Sequence, residues 1–440
     1  MLEPNPLQVA SSELKSGLIR VGIVLEEDSL TQIDLTVADS PIIIATEDSS
    51  SPVTVQPKER LLLIAKENKV LLQNSSGSQI SEGKLLRIAT ETPTFPHATC
   101  AVHPIIAGRS FHWKKEISAD FSGEFEVSTK GKSLQIVNIL PFEEYLACVV
   151  VSEMSSGTPR EFVKAQTVAA RSWARCFLNE KHPGESYELC NDDDCQRYHG
   201  VTFASRDSLE ASLECAGEFL INEQGHVTPG YYSKCCGGIS ESAKDCLGVE
   251  VPEIIAVTDG LTSASADDIS SWVLPNEERD KALFCGGNKE TLLKSLGGVD
   301  DIGEYFRWEH RELKKDLANY LNDKTDISDA KTVTRLEPKR RGASGRIHEL
   351  TIHFQTMKGE HRRFESTTQY EIRSLLHPSF LYSTAITIKD EGDSFLFHGA
   401  GWGHAVGLCQ IGGMFQAISG RSYREILELY FPATTCKKIY

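Results

Sequence analysis

The first third of the chain alternates short apolar segments with polar turns. Apolar residues recur at every second position between clusters of Ser, Gly, Asn and Asp, a period typical of β-strands with one buried face. The pattern starts at Leu18 and predicts a β-rich part over residues 17–136, after a disordered lead-in over residues 1–16. It is carried by IRVGIVL, QIDLTV, SPIIIAT, RLLLIAK, KVLLQ, KLLRIA and EFEVSTKGKSLQIVNIL.

Helical spacing replaces this alternation at Pro141. This proline stands at a predicted first helical position, and two Glu follow it in the first turn, where acidic side chains favour a helix start. Residues 158–161 have the form of a capping box, with apolar residues at helical spacing behind them. A second capping box at residues 422–425 predicts another helix, which Pro432 ends.

Strand-like runs lie between these two helices, together with one polar, charged stretch. That stretch covers about residues 259–331 and contains the helical segment RELKKDLANYL, so we interpret it as an insertion. The sequence predicts an α+β fold with a mixed, β-rich core and a few helices around a central cleft. Residues 137–258 then form the catalytic core and residues 332–440 the C-terminal part of the core.

Charge and composition exclude some classes of partner. The chain has 46 Lys+Arg against 62 Asp+Glu, a net charge of −16, and such a surface repels the phosphate backbone of nucleic acid. The longest apolar runs are too short to cross a bilayer, so we expect no transmembrane segment. The first residues, MLEPNPLQVASSELKSG, lack the apolar core of a signal peptide. Either the protein is cytosolic, or an export signal is missing from this sequence.

Glu153 is the first candidate for chemistry. It follows the apolar run ACVVVS and precedes the second predicted helix. A carboxyl among apolar side chains loses solvation, which favours the protonated form that a general acid needs. The alternative is that Glu153 only accepts hydrogen bonds from the exposed amides at the next helix start.

The second candidate is the glycine-rich segment HGAGWGHAVGLCQIGG. Its glycines let the backbone turn sharply around Trp402 and His404 and approach a ligand closely. An aromatic face beside a His and Gln410 suits a sugar ring. The alternative is a structural turn that packs Trp402 into the core. A phosphate loop is excluded, because the glycine spacing differs and no Lys-Ser/Thr follows.

Cysteines supply the third candidate. Cys190 and Cys195 frame CNDDDCQRYHG, and Cys235 and Cys236 follow in SKCCGG. Closely spaced cysteines are typical of zinc sites, but a disulfide or buried free thiols remain open. Cys236 is the preferred third ligand, because the two glycines after it let the chain bend inward; Cys235, His199, water or glycan are further options. The other eight cysteines are expected to be core thiols.

Several motifs together resemble the stage II sporulation protein D family. NILPFEEYLACVVVSEM with PREFVKAQTVAARSWA resembles its first motif, and CNDDDCQRYHG and YYSKCCGG resemble its middle motifs. SGRIHELTIHF and GAGWGHAVGLCQIG with YREILELYFPAT resemble its last strand and C-terminal signature. The motifs follow the family order over about residues 108–438. Two positions depart from it: Ser155 replaces a proline, and Ala405 replaces a glycine.

The resemblance implies a lytic transglycosylase of the cell envelope. Such an enzyme cleaves the MurNAc–GlcNAc bond of peptide-stripped glycan strands, leaves 1,6-anhydro ends and works alongside a cell-wall amidase. The resemblance puts the acid/base role on Glu153 and zinc at Cys190 and Cys195. It implies substrate binding by Gln166, Arg171, Trp402, His404 and Gln410. Alternatives are a non-catalytic glycan-binding or amidase-activating protein of the same fold, and a cytosolic zinc protein.

Overall fold

The computed structural model describes residues 17–47, 51–90, 95–109, 111–178, 180–261, 268–297 and 304–440, so the predicted lead-in over residues 1–16 lies outside them. The structure contains several β-sheets together with α-helices, which confirms the α+β class. The described residues form two compact units. The N-terminal unit covers residues 17–218 and 438–440, and the C-terminal unit covers residues 219–437. The boundary between the units falls inside the predicted catalytic core. A strand crosses it and no change of sequence pattern marks it, so the sequence did not predict it.

The N-terminal unit contains two antiparallel sheets. One has the order β13-β1-β12-β11-β8-β3-β4 and the other β10-β9-β2-β5-β6-β7, with only the short β13 parallel to its neighbour. The strands are β1 (Leu18–Val24), β2 (Gln32–Val37), β3 (Ile42–Thr46), β4 (Val53–Val55), β5 (Arg60–Lys66), β6 (Lys69–Asn74), β7 (Gln79–Gly83), β8 (Leu85–Thr90), β9 (Cys100–Ala107), β10 (Lys115–Phe121), β11 (Glu124–Lys130), β12 (Ser133–Pro141) and β13 (Leu189–Cys190).

These strands confirm the predicted β-rich part. β2 and β5 have the predicted bounds, and one face of each is buried; apolar and polar residues alternate strictly in β2, whereas β5 is a continuous apolar run between two charged residues. β4, β7, β9 and β10 were not predicted. β10 shows why, since only Ala119 and Phe121 of its seven residues are buried. A strand with so few buried positions has no clear apolar period.

Three helices complete this unit: α1 (Phe142–Met154), α2 (Arg160–Phe177) and α3 (Arg206–Glu214). α1 is buried continuously from Tyr145 to Met154, as expected for a helix with apolar residues all round. Pro141 was predicted to be the first helical residue, but it is the N-cap, and the helix begins at Phe142. The capping box predicted at residues 158–161 is wrong. Pro159 is the N-cap of α2, and the Thr158 hydroxyl instead donates to the Ser155 carbonyl at 3.1 Å.

The C-terminal unit is built from four small sheets and eight helices in its described residues. The sheets are β14-β23, β15-β22, β16-β21-β20 and β17-β18-β19. The strands are β14 (Glu218–Ile221), β15 (Tyr232–Ser233), β16 (Arg307–Leu313), β17 (Ala330–Arg341), β18 (Ile347–Thr356), β19 (His361–Ser366), β20 (Ile386–Asp390), β21 (Ser394–Ala400), β22 (Leu408–Cys409) and β23 (Thr435–Lys438). The helices are α4 (Ala243–Leu247), α5 (Ile269–Val273), α6 (Glu277–Lys281), α7 (Lys289–Leu296), α8 (Lys314–Lys324), α9 (Gln369–Leu375), α10 (Gln410–Ile418) and α11 (Tyr423–Tyr430).

The predicted insertion is integrated into this unit. RELKKDLANYL is divided, because its first residues end β16 and the remainder lies in α8. α8 buries Leu317 and Leu321 in the same core cluster as Phe354 of β18. The second predicted capping box is confirmed, since Ser422 and Glu425 exchange side-chain and backbone hydrogen bonds before α11. No helix among the described residues is long and apolar enough to span a membrane.

Candidate active site

Glu153 lies in the last turn of α1, and only 8% of its surface is exposed. Its Oε1 accepts a hydrogen bond from the backbone N–H of Arg197 at 3.3 Å. The neighbouring Ser152 hydroxyl accepts one from the backbone N–H of His199 at 3.0 Å. Residues 197–199 therefore hold the end of α1, and the carboxyl is fixed next to the loop that follows β13.

That loop brings a second carboxyl and a guanidinium beside Glu153. Arg197 Nε lies 3.3 Å from Asp193 Oδ1, and Asp193 Oδ2 is buried without a hydrogen-bond partner among the described residues. Burial raises the pKa of Asp193 to about 6, and the Glu153 charge acts in the same direction, against the effect of Arg197. Arg197 also stacks over the ring of Trp113 at 5.0 Å. Sequence reasoning missed Asp193, Arg197 and Trp113 as site residues.

Asp192 anchors this loop to the sheets. Its carboxylate accepts hydrogen bonds from the backbone N–H groups of Gly108 at 3.0 Å and of Arg109 at 2.6 Å. The Arg109 guanidinium in turn binds the buried Asp28 carboxylate at 2.6 and 2.8 Å and the Asn191 side chain at 2.7 Å. Charge-assisted bonds of this kind are stronger than neutral ones, so the loop is held rigidly at its start.

The backbone just after Glu153 has an unusual conformation. Ser155 has φ 70° and ψ 159°, a region in which residues other than glycine are strained. Proline, which the related family has here, is restricted to φ near −65° and cannot adopt it. The turn between α1 and α2 therefore does not accept proline at position 155.

Cys190 and Cys195 lie together, and His182 completes their group. One ligand atom from each lies within 4.8 Å of the others, and His182 Nε2 is 3.3 Å from Cys195 Sγ. Hydrogen bonding from Cys195 lowers the pKa of Cys190 to about 5 with help from His182, although burial opposes it; burial raises the pKa of Cys195. Cys236, the third ligand expected from the sequence, instead groups with Asp259, Cys285 and Cys409. His182 was missed because it lies outside the cysteine motif.

Two predicted substrate-binding residues lie in α2. Arg171 is fully buried, and its guanidinium binds the Glu143 carboxylate at 2.5 and 3.0 Å and the Glu218 carbonyl at 3.0 Å. These contacts give Arg171 a structural role, and its contact with substrate stays a prediction. Gln166 is also fully buried, but neither its Oε1 nor its Nε2 has a partner among the described residues. An unpaired buried amide is costly, which favours a ligand at Gln166.

Trp402, His404 and Gln410 belong to the C-terminal unit. The Trp402 ring stacks on Tyr305 with 4.6 Å between ring centroids, and its backbone pairs with Cys235. His404 Nδ1 accepts a hydrogen bond from the backbone N–H of Val406 at 3.0 Å, so the imidazole helps to fix the loop. Gln410 is buried as the first residue of α10. Their role in substrate binding stays a prediction.

Ala405 occupies a left-handed position in the glycine-rich segment, with φ 64°, and is almost fully buried. Replacing it by glycine relieves about 1–2 kcal/mol of strain but loses a buried methyl group and gains unfolded-state entropy. We expect Ala405→Gly to change the free energy of unfolding by less than about 1 kcal/mol for these opposing reasons.

Gly407→Ala should lower the free energy of unfolding by about 3 kcal/mol, because Gly407 has φ 73° and a Cβ there would lie 2.1 Å from the Tyr231 carbonyl oxygen. Urea unfolding of the two variants checks this, and equal effects would contradict it.

We expect His404 to make the protein less stable in acid. Burial lowers its pKa to about 4, with the charge of Arg373 acting in the same direction. Below the unfolded-state value of about 6.5 the unfolded chain gains a proton that the folded chain does not, so stability falls as the pH drops towards 4. Between pH 7.5 and 5.0 the His404 imidazole should lower the free energy of unfolding by about 2 kcal/mol. His404→Asn should lose less stability over this interval than wild type in urea unfolding, whereas His361→Gln, at an exposed histidine, should follow wild type.

The part of the chain around Glu153 is similar to a known family. Residues 130–221 match the family described as "Stage II sporulation protein", and this range contains α1, α2, Glu153 and the Cys190–Cys195 loop. Over this range the chain is similar to the SpoIID family. The family supports a role connected with the cell wall. Residues 259–407 match a separate domain of unknown function, which begins where the insertion was predicted and extends beyond it.

Three curated relatives extend the similarity. An uncharacterized protein of Brachyspira hyodysenteriae is 28% identical over 296 residues, covering 67% of this chain and 66% of the relative. The amidase enhancer of Bacillus subtilis is 26% identical over 316 residues, covering 65% of this chain and 39% of the relative. Stage II sporulation protein D of Bacillus subtilis is 21% identical over 314 residues, covering 68% of this chain and 75% of the relative. The first two matches thus span less than two thirds of those relatives' lengths.

Proposed function

We propose that this SpoIID-like protein is a lytic transglycosylase. It cleaves MurNAc–GlcNAc bonds in peptide-stripped glycan strands at the cell envelope. The observation that carries the proposal is the position of Glu153, a nearly buried carboxyl fixed at the end of α1 by the Arg197 backbone. General acid catalysis needs such a carboxyl, held in one place and largely shielded from water.

One carboxyl is sufficient for the reaction. Protonated Glu153 donates its proton to the glycosidic oxygen as the bond to C1 of MurNAc breaks. The resulting carboxylate accepts the proton of the C6 hydroxyl on the same sugar as that oxygen attacks C1. The product is a 1,6-anhydro end, no water is consumed, and Glu153 is protonated again. This differs from ordinary glycosidases, in which a second carboxylate acts on water or on C1.

The other residues of the site have supporting roles in this proposal. Trp113, stacked under Arg197, holds that guanidinium beside the loop that contacts Glu153. Asp193 lies close enough to Glu153 for the Glu153 charge to raise its pKa. Cys190, Cys195 and His182 can hold zinc, since two sulfurs and an imidazole are ordinary zinc ligands. Such an ion would stiffen the loop that carries Asp193 and Arg197.

A second candidate function is activation of a cell-wall amidase without cleavage of glycan. The relative that favours it is the Bacillus subtilis amidase enhancer, at 26% identity. The presence of Glu153 distinguishes the two, because an activator that only binds glycan has no need for a shielded carboxyl at this position.

Three incubations separate the two functions. The protein is incubated with peptide-free glycan strands, with intact peptidoglycan, and with intact peptidoglycan plus an amidase, and released saccharides are quantified. The transglycosylase hypothesis predicts release from the first, little from the second and recovery in the third. An activator would release no saccharide from bare strands, yet would increase the liberation of stem peptides by the amidase.

A further inference from the structure

Four buried side chains of the C-terminal unit meet at one point. They are Cys236, Asp259, Cys285 and Cys409, and one sulfur or carboxylate oxygen from each lies within 4.8 Å of all the others. Cys236 Sγ and Cys285 Sγ are 3.9 Å apart. All four residues are at most 2% exposed. Four convergent soft or anionic donors without access to solvent are typical of a closed, structural metal site.

The backbone around the sulfurs is arranged for thiolates. The N–H of Cys236 donates to Cys409 Sγ at 3.2 Å, that of Gly412 donates to the same sulfur at 3.4 Å, and that of Gly238 donates to Cys236 Sγ at 3.4 Å. Hydrogen bonds to an ionised acceptor are stronger than those to a neutral one. Three N–H groups directed at two sulfurs therefore favour the metal-bound thiolate over the thiol.

Asp259 is oriented in the same way. Its Oδ1 accepts a hydrogen bond from Tyr430 Oη at 2.5 Å, and its Oδ2 accepts one from the backbone N–H of Cys285 at 2.7 Å. A Cβ at Gly412 would lie 2.3 Å from Asp259 Oδ1, so only glycine lets α10 approach this closely. Hydrogen bonds that orient a carboxylate ligand in this way are characteristic of metal sites.

Two arginines, one fully buried and one partly buried, contact the backbone beside Cys236. Three thiolates, one carboxylate and a divalent ion leave a net charge of about −2, as in sites with four cysteines. Arg346, which is fully buried, donates to the Cys236 carbonyl at 2.6 Å, and Arg307 donates to the Gly237 carbonyl at 2.6 Å. Both guanidinium groups contact the segment that carries Cys236, so they place positive charge beside the first ligand.

We propose that Cys236, Asp259, Cys285 and Cys409 bind a structural Zn²⁺ ion. Zinc suits the set because it takes four ligands in tetrahedral geometry, prefers sulfur and accepts a carboxylate oxygen as the fourth. The ion ties together the SKCCGG segment, the start of the domain matched at residues 259–407 and the N-terminus of α10. Because Cys409 follows the Trp402–His404 turn, the ion also fixes the C-terminal end of that turn.

The test uses the full-length chain with Cys195→Ser, which removes a thiol from the separate Cys190–Cys195–His182 group. Purified under reducing conditions, this variant should retain about one zinc per chain. X-ray absorption at the zinc edge should show three sulfurs at about 2.3 Å and one oxygen at about 2.0–2.2 Å. Adding Cys285→Ser should abolish this zinc, whereas adding Cys246→Ser, at a thiol of the same unit outside the group, should leave it.

The folded Cys195→Ser chain decides the proposal even if Cys285→Ser does not fold. Absence of zinc from that chain overturns it. Four sulfur neighbours without oxygen overturn the assigned ligand set, because Asp259 is then not a ligand. A Cys236–Cys285 disulfide in peptides mapped without reduction also overturns it, since two of the three thiolates would be consumed.

Discussion

Glu153→Gln should abolish glycan cleavage while the protein stays folded and still binds glycan. The amide has the shape of the carboxyl but can neither donate the proton to the leaving oxygen nor take one from the C6 hydroxyl. General acid–base catalysis contributes about 10²–10⁴-fold, so the rate on peptide-free strands should fall by at least that factor. Release of soluble saccharide measures the rate, and co-sedimentation with insoluble strands measures binding.

Glu144→Gln is the matched control. Glu144 lies on the same helix, in its first turn, and burial raises its pKa, but it has no part in the proposed reaction. Cleavage by this variant should stay near the wild-type rate. If Glu153→Gln retains the activity of Glu144→Gln, Glu153 is not the acid.

Glu143→Gln should substantially lower the free energy of unfolding. Glu143 neutralises the fully buried Arg171 through two hydrogen bonds and also accepts one from the Tyr440 hydroxyl at 2.6 Å. Burial alone would lower the pKa of Arg171, but the ion pair outweighs it and keeps the guanidinium charged. Removing one partner of a buried pair typically costs 3–5 kcal/mol, and because the Glu143 side chain is 18% exposed we expect about 3 kcal/mol.

Urea unfolding monitors this effect, again with Glu144→Gln as the control one residue away. The control should shift the unfolding midpoint little, because no ion pair is broken. Equal shifts in the two variants would mean that Arg171 finds another partner when Glu143 is neutral, and that its role is not the one described.

Local physical signals explain what the sequence could predict. Strict alternation predicts β2, a short apolar run between charged residues predicts β5, and the Ser422–Glu425 box predicts the start of α11, because each signal depends on neighbouring residues alone. Glu153 was identified by its place between an apolar run and a helix start. Its burial agrees with that expectation.

Contacts between distant parts of the chain could not be predicted in this way. His182 approaches Cys195, and Arg197 approaches Trp113, only because the fold brings their segments together. Cys236 was grouped with the wrong thiols for the same reason, since its neighbours Cys285 and Cys409 are 49 and 173 residues away in the chain. The positive φ of Ala405 also depends on the folded turn.

A lytic transglycosylase leaves 1,6-anhydro ends on glycan, and mass spectrometry of the products detects them. Wild-type protein is incubated with peptide-free glycan strands, and the soluble fragments are analysed before and after borohydride reduction. We expect MurNAc ends that are one water lighter than hydrolysed ends and that borohydride does not reduce. Reducible ends of full mass, or intact strands in the presence of folded protein, would contradict this expectation.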